Sequence, residues 1–406
     1  MSQPASRDDA PAVEASVVRG SNQSGMRNHN ERLVLSLIRQ RGPLAKAEIA
    51  RMSGLSAQTV SVIMRALEAE GLLVKGDPVR GKVGQPSVPM RLAREGAYFL
   101  GLKVGRRSVE LVMTDFAGKV LHRAMRTHTH PTPDFTVAFA HDRIADLVGR
   151  LAPDQRSKVA GLGIAIPFFL WDWAETLGVP VQEMAAWRTA DIRADIAARY
   201  DFPVFLQNDA SAACGAEVVF GPSDAPRDFL YFYVGYFIGG GVVLNGALYT
   251  GGGNAGALGP LPVPGPGGSV QPLIDVASLS VLENRLRSRG AATASMWESA
   301  EDWLIDVATL EIWTKGAAAG LAHAITAACA VIDFGAVLID GWIPQALRDD
   351  LVAAVNRELD HQNFTGLRRP QVRAGTVGAD ARALGAASLP LSERFLVEPN
   401  AFAKPA

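Results

Sequence analysis

Apolar positions near the start of the chain repeat with a helical period. Leu33, Val34, Leu37 and Ile38 share one face, and Gly42-Pro43 ends that helix. A second short helix is expected over Lys46–Met52, with Ala47, Ile49 and Ala50 inward. Gly54 makes a turn, and Ser56 is placed to cap a third helix running to about Glu70. Val60, Ile63, Met64 and Leu67 form its buried stripe, which leaves Gln58, Thr59, Ser61 and Arg65 facing away. Leu72–Val74 and Val88–Leu92 then read as two strands around the loop Lys75–Ser87. Helix, short helix, glycine turn, polar-fronted helix and two-stranded wing make a winged helix-turn-helix, placed at 27–95. Residues 1–26 show no periodicity and are expected to be a disordered tail, with order beginning near Asn28.

The body, 96–406, alternates short strand-like runs with helical stretches. Phe99–Val104 and Val109–Thr114 read as a hairpin, with the next strand from Val120. Phe135–Leu151 is an amphipathic helix, Val159–Ile166 a buried strand, and Ile192–Tyr200 a helix feeding the strand Val204–Leu206. After it come a helix from Ala210 to Val219 and a strand, Phe229–Val234. Further helices are expected over Leu273–Arg287, Trp303–Lys315, Gly316–Ile332, Gln345–Asp360 and Ala379–Ala387, with strands at Gly335–Asp340 and Gln371–Ala374. Two halves, each a sheet with helices, make an α/β body with a ligand cleft where they meet, at Asn208 to Gly241. Asn208-Asp209 stands at the carboxyl end of a strand, where such sheets place ligands. Ile238 and Gly239–Gly241 are expected to let backbone N–H groups approach a ligand.

Charge sharpens this division. The chain as a whole carries −1, but Arg27 to Leu92 holds 11 Lys/Arg against 5 Asp/Glu. A basic head on an acidic body suits a partner rich in phosphate. Arg80, Lys82 and Gln85 lie in the wing loop, whose glycines and prolines keep it slim enough for a groove. The expected DNA-contacting set is Ser56, Gln58, Thr59, Ser61, Arg65, Arg80, Lys82 and Gln85. Cys214 and Cys329, the only cysteines, sit in apolar runs and read as buried hydrophobes. No apolar run reaches the length of a membrane span and the N-terminus lacks a signal-peptide core, so a cytoplasmic location is expected.

Several elements in order resemble the ROK family (repressor, open reading frame, kinase). They are Asn208-Asp209, Glu217 in the following helix, the Gly239–Gly241 turn, and the segment ending Ala255-Gly256-Ala257-Leu258-Gly259. The resemblance covers roughly Arg27 to Leu389 and implies an actin-like ATPase (ribonuclease H-like) body that serves sugar kinases and sugar-responsive repressors alike. It also implies that Asp209 matches a catalytic base and Asn208 a sugar ligand. Asn254 and Gly256 in the Gly-rich segment are further candidate ligand contacts.

The phosphate-handling parts depart from the family. Where it has Asp-x-Gly-Gly-Thr, this chain has Lys103-Val104-Gly105-Arg106-Arg107; where it has Gly-Thr-Gly, Tyr236 and Phe237 intervene. Phosphoryl transfer is mostly positioning and charge stabilisation, so both changes bear on activity. The sugar-gripping Glu and His of the family's Gly-Glu-x-Gly-His are Ala257 and Pro260, and its zinc-binding cysteines are missing. No zinc, other metal or ATP is expected, His122, His128 and His130 included, and Asp209 is a vestigial base rather than a catalytic one. Three roles stay open for Asp209: accepting hydrogen bonds from ligand hydroxyls, pairing with Lys103, or capping the helix from Ala210.

Trp171, Trp173, Glu175 and Trp187 form an aromatic-rich insertion suited to stacking on a saccharide or polyol and holding its hydroxyls; the alternative is that the indoles fill an interface. The reading is a transcriptional regulator, taken as a repressor with the sign of regulation left open by the sequence, controlled by a sugar or polyol effector. It binds a palindromic double-stranded DNA operator as a homodimer or homotetramer, without membrane association. An active sugar kinase, or a ligand-independent DNA-binding scaffold, are the alternatives.

Overall fold

The computed structural model describes residues 23–78, 88–301 and 303–397. α1 (Gln23–Arg41), α2 (Lys46–Ser53) and α3 (Ala57–Ala69) pack through Val34, Ile38, Ile49, Val60, Ile63 and Leu67. β1 (Leu73–Lys75) and β2 (Met90–Leu92) pair antiparallel, with Leu73 opposite Leu92. α1 starts at Gln23, inside the stretch expected to be a disordered tail; just past that extension an Arg27–Glu31 ion pair spans one turn at 2.9 Å. The wing residues Arg80, Lys82 and Gln85 lie outside the described residues.

The body repeats one plan twice. β3 (Tyr98–Val104), β4 (Ser108–Thr114), β5 (Val120–Thr127), β6 (Val159–Ile166) and β7 (Val204–Asn208) form a sheet ordered β5-β4-β3-β6-β7. α4 (Pro133–Gly149) links β5 to its parallel part. β8 (Phe229–Val234), β9 (Gly239–Leu244) and β10 (Ala247–Tyr249) begin the second sheet. The ribbon of β11 (Pro262–Pro264) and β12 (Val270–Pro272) follows, and then β13 (Ala336–Gly341) and β14 (Gln371–Ala374) complete the order β10-β9-β8-β13-β14. In each sheet an antiparallel three-strand meander is extended by two parallel strands. β3, β4, β6, β8 and β13 are buried along their whole length; β6 and β8 are continuous apolar runs, while β3, β4 and β13 carry Lys103, Glu110 and Asp340 into the interior.

The helix Ala381–Phe395 ties the parts together. A Cβ at Gly101 of β3 would fall 2.3 Å from the Ala383 carbonyl, and one at Gly163 of β6 would fall 1.8 Å from that of Ala386. On its other side a Cβ at Gly385 would meet the Ala212 carbonyl at 1.9 Å. Bare backbone on both partners lets this helix lie directly on the first sheet and on the helix Asp209–Phe220.

Three helix boundaries differ from the sequence expectation. The helix expected over Leu273–Arg287 breaks at Ser278, whose backbone is extended (φ −81°). Its hydroxyl accepts from the Ile238 N–H at 2.9 Å and its carbonyl from the Trp313 indole at 3.1 Å. The two helices expected on either side of Gly316 are one, Val307–Cys329, capped by Asp306 through the Thr309 N–H at 2.8 Å. Burial of Trp313, Ala317, Gly320 and Leu321 overrides the glycine's low propensity. The last helix runs on through Pro390 to Phe395, held by buried Leu391 and by Arg394 donating to the Ala160 carbonyl at 2.9 Å.

Head and body share one apolar cluster, in which Val34 and Ile38 of α1 join Phe99, Phe116 and Leu391. Polar contacts fix the junction. The buried Val397 N–H donates to Ser36 Oγ at 3.0 Å, Arg32 donates to the Leu396 and Ser392 carbonyls, and Arg39 donates to the Phe116 carbonyl.

Candidate functional site

Two surfaces carry the chemistry. The first is the outer face of α3. Ser56 Oγ accepts from the Thr59 N–H at 3.1 Å and so caps the helix, with Thr59 Oγ1 2.8 Å from the same oxygen. Gln58 and Arg65 are exposed, while Thr59 and Ser61 are half-buried. Val62, one turn from Gln58 and less than a turn from Arg65, is 52% exposed. Sequence reasoning missed it because an apolar residue beside Ile63 reads as core. The signal was its position, on the Gln58 and Arg65 side of the helix rather than on the stripe of Val60, Ile63, Met64 and Leu67. A polar row broken by one aliphatic side chain matches what a base-reading helix presents to a major groove, with amide and guanidinium for base edges and a methyl surface for thymine.

The second is the cleft between the two sheets, where the turn after β3 meets the turn after β8. Gly105 makes the first turn tight: its N–H donates to the Ser108 carbonyl at 2.9 Å, and a Cβ there would lie 3.0 Å from that oxygen. The next two side chains reach the opposite turn. The Arg106 guanidinium lies 4.4 Å from the Phe237 ring centroid and 5.1 Å from that of Trp173, and Arg107 lies 4.8 Å from that of Tyr236. Trp173 and Phe237 are themselves 4.5 Å apart. Arg107 also donates to Glu283 at 3.2 Å and to the Tyr236 hydroxyl at 3.3 Å. Glu283 is fully engaged, accepting in addition from Arg287, Thr293 and the Trp297 indole.

Asp209 faces Arg382, whose Nη1 donates to Oδ2 at 3.3 Å. The Lys103–Asp209 pairing considered from the sequence does not form. The Lys103 ammonium instead donates to Ser108 Oγ at 2.8 Å, lies 3.9 Å from Glu110 and sits over the Trp342 ring. Burial pushes its pKa down to about 7, aided by the Arg382 charge and opposed by Glu110 and Asp209. Burial likewise lowers Arg106 to about 10. Capping of the helix falls to Asn208, whose Oδ1 accepts from the Ala210 and Ser211 N–H groups at 3.0 and 3.2 Å. Asp209 Oδ1 adds a bond to the Ala210 N–H.

The remaining expected ligand residues are scattered. Trp187 is buried, with its indole donating to the Pro131 carbonyl at 3.0 Å, so its polar atom is already used. Trp171 packs against Phe169 under Arg188. Glu175 and Asn254 are exposed, and neither side chain makes a hydrogen bond or ion pair among the described residues. Gly256, at φ 80°, serves packing: a Cβ would sit 2.6 Å from the Gly241 Cα. The glycine run expected to admit a ligand is likewise filled by protein. Cβ atoms at Gly239, Gly240 and Gly241 would strike Ala210, the Tyr231 carbonyl and Cys214 at 2.8, 2.2 and 2.5 Å. Glu217 anchors the turn before the last helix, accepting from Thr376 Oγ1 at 2.7 Å and from the Thr376 and Val377 N–H groups. A surface depression of about 720 Å³ between α4 and the helix Ile192–Ala197 contains none of the expected ligand residues. Among the described residues no group of three His, Cys, Asp or Glu side chains is arranged to hold a metal ion, and no helix is long and apolar enough to cross a membrane.

Arg382 was not expected from the sequence, although a lone arginine in Ala379–Ala387 was a visible signal. Arg106 was read only as an obstacle to phosphate.

A winged helix-turn-helix joined to a doubled α/β body with a cleft defines the class, and comparison confirms it. Residues 99–393 match the ROK family and residues 27–74 match the winged helix-turn-helix DNA-binding family, so the chain belongs to the ROK family with an N-terminal winged helix-turn-helix domain. It is 28% identical over 380 residues to protein y4fQ of Sinorhizobium fredii, covering 90% of this chain and 91% of that one. It is 26% identical to the xylose repressor of Bacillus subtilis, over 57% of this chain and 59% of the repressor's length. The crystal structure of a ROK family transcriptional regulator, a homolog of the E. coli MLC protein, superposes with a TM-score of 0.64 at 19% identity, covering 93% and 96% of the two chains. A Streptomyces griseus ROK glucokinase crystallised with glucose and AMPPNP gives 0.55 at 19% identity, over 72% of this chain and 99% of that one.

Proposed function

We propose that this protein is a DNA-binding transcriptional repressor whose body binds a small effector from carbohydrate or polyol metabolism and whose cleft no longer transfers phosphate. The observation that carries the reading is the α3 face of Gln58, Val62 and Arg65, presented by a head that is packed into the body rather than tethered to it. Similarity to the xylose repressor and to the MLC-like regulator supports it. Against phosphoryl transfer stand the side chains at the two phosphate-loop positions, with Arg106 on Phe237 and Arg107 on Tyr236 where the resemblance puts phosphate loops. Two-fold operators pair with two-fold proteins, so the active form is a homodimer or homotetramer.

Control of DNA binding by the cleft runs through the helix Ala381–Phe395. Its first turn carries Arg382 against Asp209, and just past its far end the Leu396 carbonyl and Val397 N–H bond to Arg32 and Ser36 of α1. A ligand that competes for Asp209 or Arg382 biases this rod, and the rod sets the head. The experiment is selection of DNA from a random library by the purified full chain. An inverted-repeat motif supports the reading, and a bound pool with no shared motif contradicts it.

A further inference from the structure

Counting partners for the charges in the cleft leaves one over. Arg382 faces Asp209, Arg107 faces Glu283, and Lys103 shares Glu110 with Arg123. Arg106 is 8% exposed, yet it makes no hydrogen bond or ion pair among the described residues, and its Nε is buried without a partner. The neighbouring Trp173 indole is in the same state, its Nε1–H buried and unbonded. Asn208 uses its Oδ1 for capping and leaves its Nδ2 donors without a partner among the described residues. All three unused groups are donors.

A guanidinium largely removed from water is costly to bury; Asp209, which already faces Arg382, is the carboxylate that favours its charge, and stacking on aromatic faces recovers only part of the rest. An unused fork of N–H donors beside an unused indole N–H suits a bidentate oxyanion. The geometry points to an anionic effector in this cleft: a small hydroxylated molecule carrying a carboxylate or phosphate, held by Arg106 and Trp173, with Asn208 and Asp209 left for its hydroxyls. This rests on the cleft being the effector site and narrows the sugar or polyol expected from the sequence to a sugar acid or sugar phosphate.

The test is calorimetric titration of the full chain with D-glucuronate, D-gluconate and glucose 6-phosphate, with glucose and xylose as neutral counterparts. At least one anionic probe is expected to bind saturably and more tightly than either neutral sugar, and the carboxylate and phosphate arms tell the two sources apart. Arg106→Met, which keeps the stacked volume, is expected to weaken that probe at least about tenfold. Arg106→Lys, which keeps the charge, is expected to bind it more tightly than Arg106→Met. Tighter neutral-sugar binding, no binding by any probe, unchanged affinity in Arg106→Met, or the reverse order of the two variants overturns the inference. Selective DNA binding measured on the same preparation separates this failure from failure of the regulator reading, which stands if an operator motif is still selected.

Discussion

The Arg106 guanidinium lies 4.4 Å from the centroid of the Phe237 ring, joining the turn after β3 to the turn after β8 across the cleft. Both residues were identifiable in the sequence as replacements in family loops, but not as partners for each other. Their contact makes Arg106 a buried charge stacked on rings and only within the field of Asp209, whereas Arg382, equally buried, hydrogen-bonds that carboxylate.

That contrast sets opposite outcomes for the same substitution. Arg106→Met removes a buried charge that has no ion pair or hydrogen bond of its own among the described residues and keeps the packing, so the ligand-free protein is expected to be as stable or more stable, by up to about 2 kcal/mol. Arg382→Met strands Asp209 and is expected to destabilise by about 3 kcal/mol or more. Urea unfolding of the two variants checks the signs, and a loss in both would contradict the account.

Lys103 gives a pH dependence. Its ammonium faces Glu110, Ser108 and the Trp342 ring, with Arg123, Arg382 and Asp209 nearby, and burial holds its pKa at about 7. The unfolded chain keeps the proton up to about pH 10.4. Between these values the unfolded state binds more protons, so this group's contribution to stability rises with pH, and its burial cost is fully present below about pH 7. Lys103→Met is therefore expected to stabilise most near pH 6, with the gain shrinking as pH rises toward 9. Glu110 keeps Arg123 at 2.9 Å in the variant. Melting temperatures of both proteins across that range measure it, and a gain that grows with pH would be the wrong sign.

The head–body junction separates binding from signalling. Ser36→Ala leaves the buried Val397 N–H without its acceptor, a cost of about 1–3 kcal/mol borne at the junction. Effector affinity is expected to be close to unchanged, while release of DNA on effector addition is blunted. Fluorescence anisotropy of labelled operator, with and without effector, reads both. Normal release in Ser36→Ala would show that the helix Ala381–Phe395 does not carry the signal.

On α3, Arg65→Ala and Gln58→Ala are expected to weaken operator binding by about 1–3 kcal/mol each and to relax preference at particular base positions. Val62→Ala is expected to lower preference for thymine at one position with little effect on salt dependence. Competition binding with single-base operator variants resolves these, and a uniform loss across all sequences would instead mark phosphate contacts.

Much of this architecture was legible in local pattern. The stripe Val60, Ile63, Met64 and Leu67 gave α3 its orientation, and Gln371–Ala374 is β14 without change. What local pattern misjudged was decided by distant contacts. Ser278 leaves the helix because Ile238 and Trp313 bond to it, and Gly316 stays helical because its neighbours are buried. In the cleft, Asn208 and Asp209 were read correctly as a strand-end pair. The glycines of β9 turned out to admit Ala210 and Cys214 rather than a ligand, and Asp209 found Arg382, 173 residues away, instead of Lys103. Pairing partners that far apart leave no periodicity to read.

Sequence-specific DNA binding by this head in the context of the full chain is tested most directly by the ratio of dissociation constants for the selected operator and a scrambled duplex, measured at one salt concentration near physiological. The operator is expected to bind at least about 10³-fold more tightly, with Arg65→Ala eroding the ratio. Equal affinity for the two duplexes, falling together as salt rises, would contradict it.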